Sequence, residues 1–361
     1  MPLYSMLSQA LVAFTIECDN AFEQRLPHRT TDFGRTGNGP NLPWLVSIVM
    51  WQLFMQFVPA DGIAAGDLGR ASGYSGAKLR WWLTRMGAWW GYLTLVGPSA
   101  GSAEAGLGRA VVMPTIAGRQ AIEVWGPLAA EIEAGWRERF GATTIEGLRQ
   151  ALQTIIGEAD ELPDYLPILG YGLFSRPAPR PLRPVEKPRP LIVLLAKALL
   201  GFAVEFEAES DVPLAVSANL LRVLDDRGVP LRDIPALAGI SKSGLDMALG
   251  LASKARLVEI GRSPGGRGKA VVLTAAGLER RDRCERLATA IEDRWKTRFG
   301  APAIVRLREL LQGLGGSSAD ASGLFVGLNP PADCWRAAVP RPGTLPHYPL
   351  VLHRGGFPDG A

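Results

Sequence analysis

The chain has 361 residues, enough for two domains of ordinary size, each with a core of its own. Hydrophobic residues make up 47% and charged residues 20%, a balance that suits a folded globular protein and argues against extended disorder. The net charge is only +4, so bulk charge does not point to nucleic acid and only local patches can.

That charge is unevenly spread. Residues 1–175 carry 12 basic against 16 acidic side chains, residues 176–190 carry 5 against 1, and residues 191–361 carry 22 against 18. Cys18, Cys284 and Cys334 have no paired spacing, so neither a disulfide framework nor a zinc knuckle is expected, and a cytoplasmic protein fits.

Residues 3–23 read as a first helix. Its stretch Leu3–Phe14 is apolar on most faces, and a helix of that kind must be buried against other elements. It lacks the basic lead of a signal peptide and runs into Glu17 and Asp19. Residues 24–42 form a polar loop with Arg25, His28, Arg29 and Arg35. Its glycines miss the dinucleotide fingerprint, so a surface insertion is expected, with an anion-holding loop as the alternative. Residues 43–58 form a second helix started by Pro43, too short and too interrupted by Gln52 and Gln56 to span a membrane.

A turn at Gly73 then leads to SGAKLRWWLTRM, a helix that the Ser75 hydroxyl can cap. Leu79, Leu83 and Met86 face inward at helical spacing. Lys78, Arg80, Trp81 and Arg85 occupy other faces, and side chains of these types are able to reach phosphates or base edges. The loop that follows has one basic residue, Arg109. Thr115-x-x-Gly118 opens a long helical region, 119–156, broken at Trp136-x-x-Arg139-Phe140-Gly141 with Gly141 as a C-terminal cap. Residues 176–190, RPAPRPLRPVEKPRP, read as an extended linker of roughly 45 Å at about 3.1 Å per residue. That exceeds the spacing of about 34 Å that separates sites one turn apart on a DNA duplex. Its arginines are read as solvated, with contact to the DNA backbone as the alternative.

Apart from the insertion at 24–42, the elements before the linker recur after it. Trp136, Arg139, Phe140, Gly141, Ala142, Ile145, Leu148 and Arg149 reappear as Trp295, Arg298, Phe299, Gly300, Ala301, Ile304, Leu307 and Arg308. Leu7, Ala10, Leu11, Phe14 and Glu17 answer to Leu195, Ala198, Leu199, Phe202 and Glu205. Asp67, Gly73, Ser75, Leu79 and Leu83 answer to Asp233, Gly239, Ser241, Leu245 and Leu249. Val46-Ser47 is matched to Val216-Ser217, and Leu162-Pro163-Asp164-Tyr165 to Leu345-Pro346-His347-Tyr348. Ordered matches of this number mean a tandem duplication, with units at 1–175 and 191–361. An insertion at 313–344, rich in Gly, Ser and Pro, is expected to be irregular.

In the second copy a helix from Asp233 to Ala238 meets a turn at Gly239, and a second helix begins behind Ser241 with Leu245, Leu249 and Ala252 inward. Strand-like runs Leu257–Gly261 and Ala270–Leu273 flank the basic loop RSPGGRGK, and Leu-Thr-x-x-Gly follows. This stretch resembles the MarR family of bacterial transcriptional regulators. The resemblance implies a mainly α fold of two winged helix-turn-helix repeats with small β-hairpin wings, and a regulator that binds double-stranded DNA. Proteins of that family pair through interlocking terminal helices, so the duplicated chain is expected to be a monomeric pseudo-dimer. Two independent beads are the alternative, and the apolar first helices favour interlocking.

Candidate DNA contacts are Ser75, Lys78, Arg80, Arg85 and Arg109 in the first copy. In the second they are Ser241, Lys242, Ser243, Arg262, Arg267 and Lys269. Asp246 stands where the first copy has Arg80, and Leu251 where it has Arg85, so an asymmetric DNA site is expected. The resemblance also implies an effector site beside the DNA-binding unit. Trp51 and Trp125 are candidate lining residues for a small aromatic or apolar ligand, with core packing as the other reading.

No catalytic constellation is found. His28, His347 and His353 lack metal-ligand spacing, GRGKA is no phosphate loop, and no Gly-x-Ser-x-Gly elbow occurs. Neither enzymatic activity, nor a metal, nor a cofactor, nor a membrane partner is expected. A winged-helix module that binds a small molecule or a protein, and no longer DNA, is the alternative; the acidic first half and Asp246 support it.

Overall fold

The computed structural model describes residues 1–26, 47–74, 76–97, 110–157, 162, 189–262, 268–330, 332 and 343–349. The fold is mainly helical, with two small antiparallel sheets. The first half runs α1 (Leu3–Arg25), α2 (Ile48–Leu53), a 3-10 turn (Met55–Phe57), β1 (Ile63–Ala64), α3 (Ala65–Ser72) and α4 (Gly76–Arg85). A π-helical turn (Met86–Trp90), β2 (Leu93–Val96), β3 (Val111–Pro114), α5 (Ile116–Phe140) and α6 (Ala142–Ile156) complete it.

The second half repeats the order. It runs α7 (Leu191–Glu209), α8 (Leu214–Asn219), a 3-10 turn (Leu221–Val223), β4 (Val229–Pro230), α9 (Ile234–Ala238) and α10 (Lys242–Lys254). Then come β5 (Val258–Arg262), β6 (Lys269–Leu273), α11 (Ala275–Phe299), α12 (Ala301–Gly313) and a 3-10 helix (Gly323–Leu328).

The first helices behave as their composition demands. Leu3, Leu7, Phe14, Leu195, Leu199 and Phe202 have no exposed surface, and α1 packs along α7 in the middle of the core. Most faces of each helix are covered, which an amphipathic surface helix does not require. Among the described residues no helix is long and apolar enough to cross a membrane.

The long helices break where glycine was expected to end them. Gly141 (φ 90°) separates α5 from α6, and Gly300 (φ 92°) separates α11 from α12. Just before each break a carboxylate from the first helix of the same half gathers a tryptophan and an arginine. Glu17 accepts from Trp136 Nε1 at 3.0 Å and from Arg139 at 2.8 and 2.9 Å. Glu205 accepts from Trp295 Nε1 at 3.0 Å and Arg298 at 2.9 Å.

Other contacts cross between the halves, and in both directions. Glu133 of α5 holds Arg149 at 2.9 Å and accepts from the Leu191 amide at the start of α7 at 3.1 Å. Glu292 of α11 holds Arg308 at 2.9 Å and accepts from the Leu3 amide at the start of α1 at 3.4 Å. A carboxylate at a helix N-terminus meets unpaired N–H groups and the positive end of the dipole. Two residues beyond the long helices cross as well: Lys197 of α7 donates to the Leu162 carbonyl at 2.7 Å, and Gln9 of α1 to the Leu345 carbonyl at 3.3 Å.

Three expectations need correction. Each sheet has a third strand, giving orders β1-β3-β2 and β4-β6-β5. β1 pairs Ile63 with Val112 and β4 pairs Val229 with Val271; strands of two residues are too short to show alternation in sequence. The match of Val46-Ser47 to Val216-Ser217 does not hold. Helix ends (Leu53, Asn219), 3-10 starts (Met55, Leu221) and strand starts (Ile63, Val229) all lie 166 residues apart, which sets Trp51 against Ser217. Finally, the insertion expected to be irregular contains the 3-10 helix Gly323–Leu328. Leu324, Phe325 and Leu328 are buried there, and Asn20 of α1 donates to the Gly327 carbonyl at 3.4 Å.

Candidate nucleic-acid interface

In the second half the turn between α9 and α10 depends on Gly239, which sits at φ 72° in the left-handed region and packs a Cβ-width from the Thr344 and Leu345 backbone. Ser241 then caps α10, its Oγ accepting from the Gly244 amide at 3.0 Å. Leu245, Ala248, Leu249 and Ala252 are buried, so the remaining positions face outward. Lys242 and Asp246 are exposed there, and so are Met247 and Leu251.

The β5–β6 pair beside it carries two cations. Arg262 lies directly across from Lys269 in the ladder, and both are exposed. Neither has a carboxylate partner among the described residues. Like charges opposite one another weaken a strand pair unless an anion lies against them. Arg267 lies outside the described residues, as does the Ser243 side chain within α10.

The equivalent surface of the first half is built on the same plan. Gly73 (φ 70°) ends α3, and Leu79, Leu83 and Met86 are buried as expected. Arg80 is only half-buried, and one of its terminal nitrogens is enclosed without a hydrogen-bond partner among the described residues. Trp81 is exposed beside it. Ser75 and Arg109 lie outside the described residues, and so do the side chains of Lys78 and Arg85.

Thr-x-x-Gly joins sheet to long helix in each half. Thr115 caps α5 by accepting from Gly118 at 3.0 Å, and Thr274 caps α11 by accepting from Gly277 at 3.0 Å. The glycine is needed for space. A Cβ on Gly118 would lie 2.0 Å from the Tyr92 carbonyl oxygen, and one on Gly277 2.0 Å from that of Leu257.

Trp125 belongs to the core. It is 0% exposed, with its ring stacked on Phe22 at 4.4 Å and edge-on to Tyr92 at 5.7 Å, so protein covers the faces a ligand would need. Trp51, half-buried, lies 6.4 Å from it. Burial, with Glu23 nearby, pushes the Tyr92 hydroxyl well above its usual range.

In the second half the corresponding region is open. A crevice of about 670 Å³ lies between the start of α1, α8, α11 and α12. Tyr4, Arg222, Arg281, Cys284 and Ala288 line it, residues that no motif singled out. The one signal in the sequence was the repeat itself, which sets Cys284 at the position of Trp125, as each is 11 residues before the tryptophan that recurs in register, Trp295 or Trp136.

Compared with family models, curated proteins and solved structures, the chain matches none of them.

Proposed function

We propose that the chain is a DNA-binding transcriptional regulator, a single-chain pseudo-dimer of two diverged winged helix-turn-helix units. The observation that carries this reading is the order helix, left-handed glycine turn, helix and three-stranded sheet, present twice, with Arg262 and Lys269 on the second wing lacking a carboxylate partner among the described residues. The outward face of α10 lies beside that wing, the relation in which such units place a helix in the major groove and a hairpin along the backbone. The reciprocal crossing of α1 and α7 supports a single two-fold body over two beads.

The two units divide the work. Lys78, Arg80 and Arg85 on α4 read bases in one half-site, while Arg262, Arg267 and Lys269 hold backbone beside the other. Selection from a random duplex library tests this at moderate salt. An enriched, non-palindromic motif is the expected result. Replacing Arg80 and Arg85 by Ala removes the sequence preference. Replacing Arg262 and Lys269 weakens all sequences alike and lowers the salt dependence by about one unit for each phosphate no longer neutralised. Retention of no duplex even at low salt sinks the reading.

A second reading is favoured by one observation. Met247 and Leu251 are 41% and 38% exposed on α10, next to Asp246. That face is more apolar and less basic than a phosphate-facing helix needs, so in this reading α10 docks a protein partner instead of DNA.

A further inference from the structure

Residues 344–348 meet three elements that are far apart in the chain, and polar side chains hold them by their main chain. Asn219, fully buried at the end of α8, accepts from the His347 and Tyr348 amides at 3.0 and 3.2 Å and donates to the Tyr348 carbonyl at 2.8 Å. Ser8 of α1 donates to the Pro346 carbonyl at 3.0 Å, and Gln9 to that of Leu345 at 3.3 Å. Ser5 Oγ lies 2.9 Å from His347 Nδ1. The same segment is wedged against the turn between α9 and α10. A Cβ on Gly239 would lie 2.7 Å from the Thr344 carbonyl oxygen and 2.9 Å from the Leu345 carbonyl carbon. Main chain packed that closely leaves the turn no room to shift unless the segment shifts with it.

The repeat does not supply these anchors twice. In register, Ser5, Ser8 and Asn219 answer to Val193, Ala196 and Leu53, none of which can hydrogen-bond through its side chain. The contact at Gln9 is kept, since Lys197 donates to the Leu162 carbonyl at 2.7 Å. His347 stands where the first half has Asp164. From α1 the imidazole meets the Ser5 hydroxyl, from α8 the neutral Asn219, and at the α9–α10 turn Gly239, which brings no charge. Burial first, then Arg222 and the Met1 amine, lower its pKa from 6.5 to about 3, and the two charged groups acting on it are both cationic. A proton on the bound ring adds a third positive charge away from water, whereas a ring released to solvent takes one up readily.

We infer that residues 344–348 are an acid-released strap: with His347 neutral they bind the α9–α10 turn of the second half to α1 of the first, and protonation of His347 lets the turn go. The strap makes the position of α10 depend on a helix of the other half, through side chains that the first half lacks at the equivalent positions. It stands on its own geometry and goes beyond the DNA-binding reading.

Hydrogen exchange of the full chain, followed by mass spectrometry without DNA and corrected for the intrinsic effect of pH, tests the strap. Between pH 7.5 and 5.0 the amides of α9 and α10 are expected to exchange up to about thirty-fold faster, the factor that a pKa of 6.5 released and about 3 bound gives at pH 5. Those of α3 and α4 are expected to keep their rates. Asn219→Leu, the residue of the first half, is expected to speed α9 and α10 already at pH 7.5, with circular dichroism confirming that the variant folds. Ser8→Ala, a milder change on α1, is expected to act at the same place. His347→Gln is expected to remove the response to acid. Unchanged exchange at α9 and α10 on acidification overturns the inference, and so does an equal rise at α3 and α4, which would report the whole molecule loosening. Wild-type rates in both Asn219→Leu and Ser8→Ala overturn the strap, and a full acid response in His347→Gln overturns the role of the imidazole. Because no duplex is present, these outcomes leave the DNA reading to its own test.

Discussion

Single residues in the two halves occupy equivalent positions but unequal surroundings, and the difference sets what each is worth. Glu17 is 8% exposed and faces Arg139, whose side chain is 22% exposed; Glu205 faces Arg298, whose side chain is 55% exposed. Removing one partner of a buried pair strands a charge away from water, whereas a solvated arginine is rehydrated. Glu17→Ala is therefore expected to destabilise the chain by about 3 kcal/mol. Glu205→Ala should cost about 1 kcal/mol, chiefly for the Trp295 N–H left unpaired. Urea denaturation of both variants checks the ratio, and equal losses would contradict the burial argument.

His347 gives a pH dependence. Its ring lies in the tail that crosses α1, 2.9 Å from Ser5 Oγ, and burial, then Arg222, lowers its pKa from 6.5 to about 3. The unfolded chain takes up this proton below pH 6.5 and the folded chain does not, so folded stability is fully present above 6.5. It is lost progressively as pH falls towards about 3. His347→Gln is expected to flatten the acid limb of a melting-temperature profile over that window; an unchanged limb would show that the imidazole does not contribute.

At the scale of elements, the joint between sheet and long helix is the least tolerant. At Gly277 of α11 the Leu257 carbonyl leaves no room for a methyl. Main chain cannot move as a flexible side chain does. Gly277→Ala is expected to cost about 2–3 kcal/mol, the range of overpacked cores. Ser241→Ala, which loses only a cap, should cost about 1 kcal/mol. Thermal unfolding monitored by circular dichroism orders the two. The same joint shows what is legible locally. Thr-x-x-Gly announces a cap because the threonine hydroxyl and the third amide are close in sequence. The carbonyl that makes the glycine obligatory belongs to Leu257, on the far side of the whole β5–β6 hairpin and beyond any local pattern.

For the whole molecule, the halves are joined by contacts that neither can make alone. The Leu3 amide needs Glu292, the Leu191 amide needs Glu133, and the Leu162 and Leu345 carbonyls are each held by the first helix of the other half. Residues 1–175 or 191–361 expressed alone are therefore expected not to unfold cooperatively, since each leaves an apolar first helix uncovered. Co-expressed, the two pieces should elute as a 1:1 complex in size-exclusion chromatography. Two soluble, independently melting monomers would return the bead arrangement.

Helical content, the recurring order of elements, the glycine turns, the Ser241 cap and the burial of both first helices are legible in the order of the amino acids. These rest on short-range periodicity and hydrogen bonds between near neighbours. The rest depends on contacts between segments far apart in the chain. Trp125 reads as ligand lining or core until its neighbours Phe22, Trp51 and Tyr92 are seen to close over it. The short strands β1 and β4 owe their existence to partners Val112 and Val271 and carry no pattern of their own. The open crevice at Cys284 depends on four chain segments meeting in space, and a side chain too small to fill a gap is visible only once the gap has walls.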